Sequence, residues 1–235
     1  MRVPGLSFII SHQADLIIGE WRTYKMAKRN TKEIILFEAL KLFADKGYDG
    51  VTVRDIANEV GIMQSSLYKH YASKQEIFDT LIEKMQERFA DASLTFQLPE
   101  GEIGEAANKY ASEENNVLKK ISTSIFLFYL KDEYASQFRR MLTIEKYKNG
   151  EIEKIYREIF IDAALLYQAS LFSEMISQGF MKQADPNVMA LHFYSPIFLL
   201  LNKYDGIPER EKEALDLLEK HIDQFDLIYR EEDTR

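Results

Sequence analysis

Residues Thr52 to Phe78 hold helical patterns too short to stand alone, and this constrains the fold more than any other feature of the chain. Isolated helices below about 12–15 residues are marginal in water, because propagation gains too little to offset nucleation. Short helices in close succession must therefore pack on one another. Upstream, Leu36, Ala39, Leu40 and Phe43 recur at spacings of three and four from Thr31 onward, with Lys32, Glu33, Glu38 and Lys41 mostly opposite. Lys46 and Gly47 close that helix, a cation in the last turn and a glycine free to turn left-handed. Thr52 can cap the next helix with Asp55 three residues on, and Val53, Ile56, Ala57 and Val60 face inward until Gly61 stops it. Two short helices joined by a glycine turn form a helix-turn-helix pattern.

The segment after Gly61 predicts a third helix, pinned by Leu67 and Tyr71 four residues apart. That register turns Gln64, Ser65, Tyr68 and Lys69 toward solvent. "SKQE" at Ser73–Glu76 has the spacing of a capping box, with the Ser73 hydroxyl on the Glu76 amide and the Glu76 carboxylate returning to Ser73. It opens a fourth helix through Ile77, Phe78, Leu81, Ile82, Met85 and Phe89, leaving Lys74 exposed at its first turn. The full chain has a formal net charge of −8. Within it, residues 26–75 carry eight Lys/Arg against six Asp/Glu, net +2, while residues 76–235 carry nineteen against thirty, net −11. The segment that escapes the acidity contains the third helix, a hint of a polyanionic partner.

A helix-turn-helix presents its last helix to the DNA major groove while helix starts and basic side chains hold phosphates. Gln64 can read a base edge with two hydrogen bonds, and Ser65 and Ser66 are small enough for close approach. Lys69 and His70 can reach bases or backbone. Thr52 and Lys74 stand at helix starts, where amides and dipole already favour anions. The same spacing also fits a solvated helical face with two packing tyrosines.

The residues Thr52-Val-Arg-Asp-Ile-Ala, Gly61, Leu67-Tyr68-Lys-His-Tyr71 and Ser73-Lys74-x-Glu76 resemble the tetracycline-repressor (TetR)-like family of bacterial regulators. The resemblance begins at "LFEALKLFADKGYDGVTVRDIA" and covers residues from about 29 to 80. It implies an all-α protein, with an N-terminal three-helix DNA-binding unit and a larger helical domain that binds an effector and dimerises. It also implies Tyr68 and Lys74 as phosphate holders, Thr52 as a helix-start contact, and Gln64, Ser65, Ser66, Lys69 and His70 as readers. Tyr71 stands where the family commonly has phenylalanine. Met63 stands where it usually has a Ser or Thr cap, a loss worth roughly 0.5–2 kcal/mol of local helix stability.

Past "QLPEGEIG" (97–104) the pattern predicts helices over 113–129, 133–146 and 151–178. Another runs from Asp185–Pro186 to about Asn202, and a last one starts near Pro208. No strand, repeat or low-complexity tract is read. The expected organisation is an extension over 1–27, a DNA-binding domain over 28–88 and an effector-binding, dimerising domain over 89–235. "MAKRN" at Met26–Asn30 resembles a natural start, so the extension is read as an upstream-start artefact or a loosely packed arm. Gln168, Glu174, His192 and Ser195 are the polar residues among many aromatics, and they are the candidates for an effector pocket. The last two helices carry wide apolar stripes suited to a homodimer.

The chain has no cysteine, and its four histidines (His12, His70, His192, His221) stand apart without metal spacing. No phosphate-binding glycine loop or nucleophile elbow appears. The expectation is a non-enzymatic, cofactor-free and cytoplasmic DNA-binding regulator, most simply a ligand-responsive repressor on a palindromic operator. The alternative is a helical protein-interaction adaptor. No uninterrupted apolar run, "PIFLLL" included, approaches the roughly 18 residues of a membrane span, and no signal peptide is read.

Overall fold

The computed structural model describes residues 30–96, 102–111 and 117–231. The N-terminal extension, most of the 97–104 boundary and the expected helix start at Glu113 lie outside these residues. The described residues are all-α, and their only β feature is an isolated bridge between Met181 and Arg230. The helices are α1 (Thr31–Lys46), α2 (Val53–Val60), α3 (Gln64–Leu67), α4 (Lys74–Thr95), α5 (Ile103–Ala111) and α6 (Val117–Lys131). They continue as α7 (Glu133–Glu145), α8 (Gly150–Arg157), α9 (Ala163–Ser177), α10 (Pro186–Lys203) and α11 (Glu211–Tyr229).

Two compact units emerge. The first holds α1 to α4 together with residues 133–156, and the second holds the described residues of 96–132 and 157–231. Besides the helices before the expected boundary at residue 88, the first unit takes in α7 and all of α8 but Arg157. Its core joins Ile35, Leu40 and Phe43 of α1, Ile56 of α2, Leu67 of α3, Ile77 and Leu81 of α4, and Phe138 and Met141 of α7. The Tyr134 hydroxyl of α7 donates to the Leu81 carbonyl at 3.3 Å, a polar tie inside that core.

In the second unit, α9 carries Leu171, Phe172 and Met175 against Phe193 of α10 and Phe225 of α11. Asp185 caps α10 by accepting from the Asn187 amide at 2.8 Å, with Pro186 at the first helical position, as its sequence requires. A π-turn at Glu158–Asp162 separates α8 from α9, and the Ala163 amide reaches back to the Glu158 carbonyl. Such single π-turns in a helix commonly mark functional positions. The run Gly150–Ser177 is long enough to cross a membrane, and an 18-residue window within it reaches a mean hydropathy of 1.4. Counting only uninterrupted apolar runs missed it. The apolar face of α9 supplies core residues of the second unit.

Candidate nucleic-acid interface

The start of α2 is a complete capping box. The Thr52 hydroxyl accepts from the Asp55 amide at 3.2 Å, and Asp55 Oδ2 accepts from the Thr52 amide at 2.8 Å and from its hydroxyl at 2.6 Å. These bonds hold the Asp55 carboxyl below the usual carboxylate range. The Thr52 hydroxyl proton is therefore committed to the cap. Gly61 ends α2 at φ 75°, ψ 32°, the left-handed conformation in which a glycine pays no steric cost.

Helix α3 is a single turn with Met63 at its N-cap, no side-chain capping bond, and Met63 72% exposed. Leu67 and Tyr71 are buried, and the Tyr71 hydroxyl donates to the Lys32 carbonyl at 3.3 Å. Both pinning residues thus hold α3 against the rest of the unit. Gln64, Ser65, Tyr68 and Lys69 are exposed, while Ser66 and His70 are half-buried. Gln64 Nε2 and the Tyr68 hydroxyl lie 3.5 Å apart, at the outer limit of a hydrogen bond, so both side chains keep their capacity for a partner. An amide, hydroxyls, a phenol and an ammonium on one short surface can donate and accept toward base edges and phosphates.

Lys74 differs from its sequence expectation. Instead of standing free, it is half-buried and donates from Nζ to the carbonyls of Tyr48 and Val51, each at 2.8 Å. Its ammonium also stands 4.1 Å from the centre of the Tyr48 ring. An ammonium has three protons, so one remains for an anion, held in place by the other two. The cap of α4 also differs in part. Ser73 Oγ accepts from the Glu76 amide at 3.0 Å as expected, but Glu76 Oε2 returns to the Ala72 amide at 2.6 Å, one residue earlier than Ser73.

The four pocket candidates are not brought together. Gln168 is half-buried with its Oε1 unpartnered among the described residues. Glu174 accepts from Gln178 Nε2 at 2.7 Å, beside Gly104. His192 and Ser195 lie on the exposed side of α10, with His192 Nδ1 3.0 Å from the Tyr229 hydroxyl and Ser195 Oγ donating to the Leu191 carbonyl at 2.7 Å. Both are more exposed than their neighbour Phe193, and His192 packs its ring 5.9 Å from that of Phe225. A groove of about 430 Å³ in the first unit is lined by charged side chains, including Glu38, Lys41, Asp45 and Arg140, and by none of these four. Sequence reasoning missed Tyr48, Glu145 and Lys148, which meet at the α1–α2 turn.

Taken together, the capped α2, the glycine turn and the polar outer face of α3 define a helix-turn-helix protein of the kind found in bacterial regulators. Residues 35–81 match the family model described as bacterial regulatory proteins, tetR family. The chain is 43% identical over 60 residues to the biofilm operon icaADBC negative transcriptional regulator IcaR of Staphylococcus epidermidis. That match covers 26% of this chain and 32% of the relative, so it spans about a third of the relative's length. The IcaR of Staphylococcus aureus is 48% identical over 48 residues, covering 20% of this chain and 26% of that protein. Among solved structures, a chain described as a TetR-family transcriptional regulator from Mesorhizobium loti aligns over 86% of this chain and 97% of its own, with TM-score 0.61 and 17% identity. The SmeT–triclosan complex aligns over 87% of this chain and 94% of its own, with TM-score 0.59 and 16% identity. These two likenesses concern the fold.

Proposed function

We propose that this chain is a transcriptional repressor that binds a near-palindromic DNA operator as a dimer and releases it on binding a small-molecule effector. The observation that carries this reading is the outer face of α3. It exposes Gln64, Ser65, Tyr68 and Lys69, while Leu67 and Tyr71 anchor the helix from behind. IcaR, 43% identical over 60 residues, is named as a negative transcriptional regulator, which supports repression. Working on DNA puts such a protein in the cytoplasm.

Dimerisation is supported by one exposed stripe along α10, formed by Val188, Leu191, His192, Ser195 and Leu199, and a second along α11 with Leu217 and Ile228. The two stripes adjoin, since the rings of His192 and His221 lie 6.5 Å apart. A second copy presenting the same two helices would cover this face, as in a four-helix bundle. For the effector, the unpartnered Gln168 Oε1 and Thr123 Oγ1 are buried acceptors in an aromatic-rich helical unit, and buried polar atoms ordinarily find partners. SmeT, similar in fold, has been solved as a complex with triclosan, which supports a small-molecule effector. The net charge of −11 over residues 76–235 favours an apolar or cationic effector over an anionic one.

Substitutions on α3 test the DNA-binding reading. Gln64→Ala is expected to relax preference at one base position by roughly 1–3 kcal/mol. Tyr68→Phe is expected to weaken all duplexes alike, because phosphates are the same everywhere. Fluorescence anisotropy on a set of singly substituted duplexes separates the two. Equal loss of specificity in both variants contradicts this sorting of base and backbone contacts, and no duplex binding by the wild type favours a protein-interaction adaptor.

A further inference from the structure

The turn between α1 and α2 is held from an unexpected quarter. Glu145, at the end of α7, is 1% exposed, and carboxylates are almost never so buried unless paired. Its Oε1 accepts from the Tyr48 main-chain amide at 2.9 Å, across 97 residues of sequence, and from Lys148 Nζ at 3.1 Å. Room for it exists because residue 47 is glycine, since a Cβ there would collide with Glu145 Oε1. The turn's carbonyls point elsewhere, those of Tyr48 and Val51 accepting from Lys74 Nζ. Val51 is followed directly by Thr52, the cap of α2. One turn therefore links two helix starts, α2 through its chain and α4 through Lys74. The Tyr48 ring seals it, packing 5.3 Å from both Phe43 and Phe78.

We propose that Glu145 is a positioning residue for DNA binding: its carboxylate, seated on the Tyr48 amide, fixes the turn whose carbonyls hold the Lys74 ammonium. The inference rests on the DNA-binding reading above. Glu145 does not touch DNA, because it is buried. It acts through the turn, in two steps. With the amide held, Tyr48 and Val51 present their carbonyls in one place and Lys74 is immobilised before any anion arrives. Without it, Lys74 loses its acceptors and must be ordered during binding, a cost that falls on every duplex equally. The ion pair with Lys148 offsets the buried charge at the same Oε1 that accepts from the Tyr48 amide. The two contacts come from different donors, so substitution of Lys148 separates the ion pair from the amide contact.

The test uses the full chain and four variants: Glu145→Ala, Glu145→Gln, Glu145→Asp and Lys148→Ala. Two readouts are taken: amide exchange at Tyr48 in the free protein, and affinity for a duplex selected with the wild type. Glu145→Ala is expected to speed Tyr48 exchange and to weaken selected and scrambled duplexes alike by about tenfold, with the base-preference profile unchanged. Glu145→Gln keeps an acceptor and is expected to restore both readouts to within about threefold of wild type. Lys148→Ala is expected to leave Tyr48 protected. If Glu145→Ala does not fold, Glu145→Asp carries the test, because it keeps the charge but withdraws the carboxylate by one methylene; it should reproduce the loss of protection and affinity. Fast exchange at Tyr48 with wild-type DNA affinity overturns the proposal, as does unchanged exchange in the Ala or Asp variant. A wild type that binds no duplex sinks the DNA-binding reading itself, an outcome distinct from a DNA-binding wild type indifferent to Glu145.

Discussion

Placing aspartates at Leu191 and Leu199 together is expected to give a folded monomer that binds the operator about 10²–10⁴-fold more weakly than the wild type. Both leucines are exposed on the α10 stripe, so neither change opens a core cavity. Leu199 is 64% exposed and Leu191 51%, values normal for a protein surface only if something covers them or if they stand singly. They do not stand singly, because Val188, His192 and Ser195 share their stripe and Leu217 and Ile228 adjoin it. Four like charges brought together across a symmetric interface would repel and lose their hydration. The expected fall in affinity comes from the loss of the second half-site, because tethering two modules adds about 10²–10⁴ in avidity without any new contact. Sedimentation checks the mass and anisotropy checks the affinity. A double variant that remains dimeric places the interface elsewhere.

Gly47→Ala is expected to cost about 2–6 kcal/mol of unfolding free energy, measured by urea denaturation. Two separate effects contribute. The backbone at Gly47 has φ 76° and ψ 162°, a region open essentially to glycine, and holding another residue there costs about 1–3 kcal/mol. The new methyl would also displace the Glu145 carboxylate from the Tyr48 amide, and leaving buried polar groups unpaired costs about 1–3 kcal/mol. Gly61 provides the internal control. It is also left-handed, at φ 75°, but a Cβ there meets nothing within 4 Å, so Gly61→Ala should show backbone strain alone. Equal losses at the two glycines would mean that the Glu145 contact contributes nothing.

The helices of the first unit were legible because each carries its own local signals. Thr52 with Asp55 announces a cap, Gly61 a stop, and Leu67 with Tyr71 a buried face, and all of these rest on neighbours within four residues. What the sequence concealed is non-local. The Leu142 and Met141 spacing marks α7 as amphipathic but not which unit its buried face joins, so the expected domain over 28–88 leaves it out. Lys74 read as exposed because nothing near it in sequence accepts its protons, and its acceptors lie 23 and 26 residues upstream. His192 and Ser195 read as pocket residues because a run containing Phe193 and Tyr194 does not say which side faces inward. Glu145 gave no signal at all, since an acidic residue at a helix end is ordinarily a surface residue.

The central claim is that the exposed face of α3, with the helix starts beside it, holds duplex DNA in two symmetric copies. Hydroxyl-radical footprinting on a duplex enriched from a random pool tests it most directly, with affinity measured at 50 and 200 mM salt. The account predicts two protected patches with centres about 34–36 Å apart, and a steep loss of affinity across that salt range. A single unpaired patch, or affinity indifferent to salt, would contradict it.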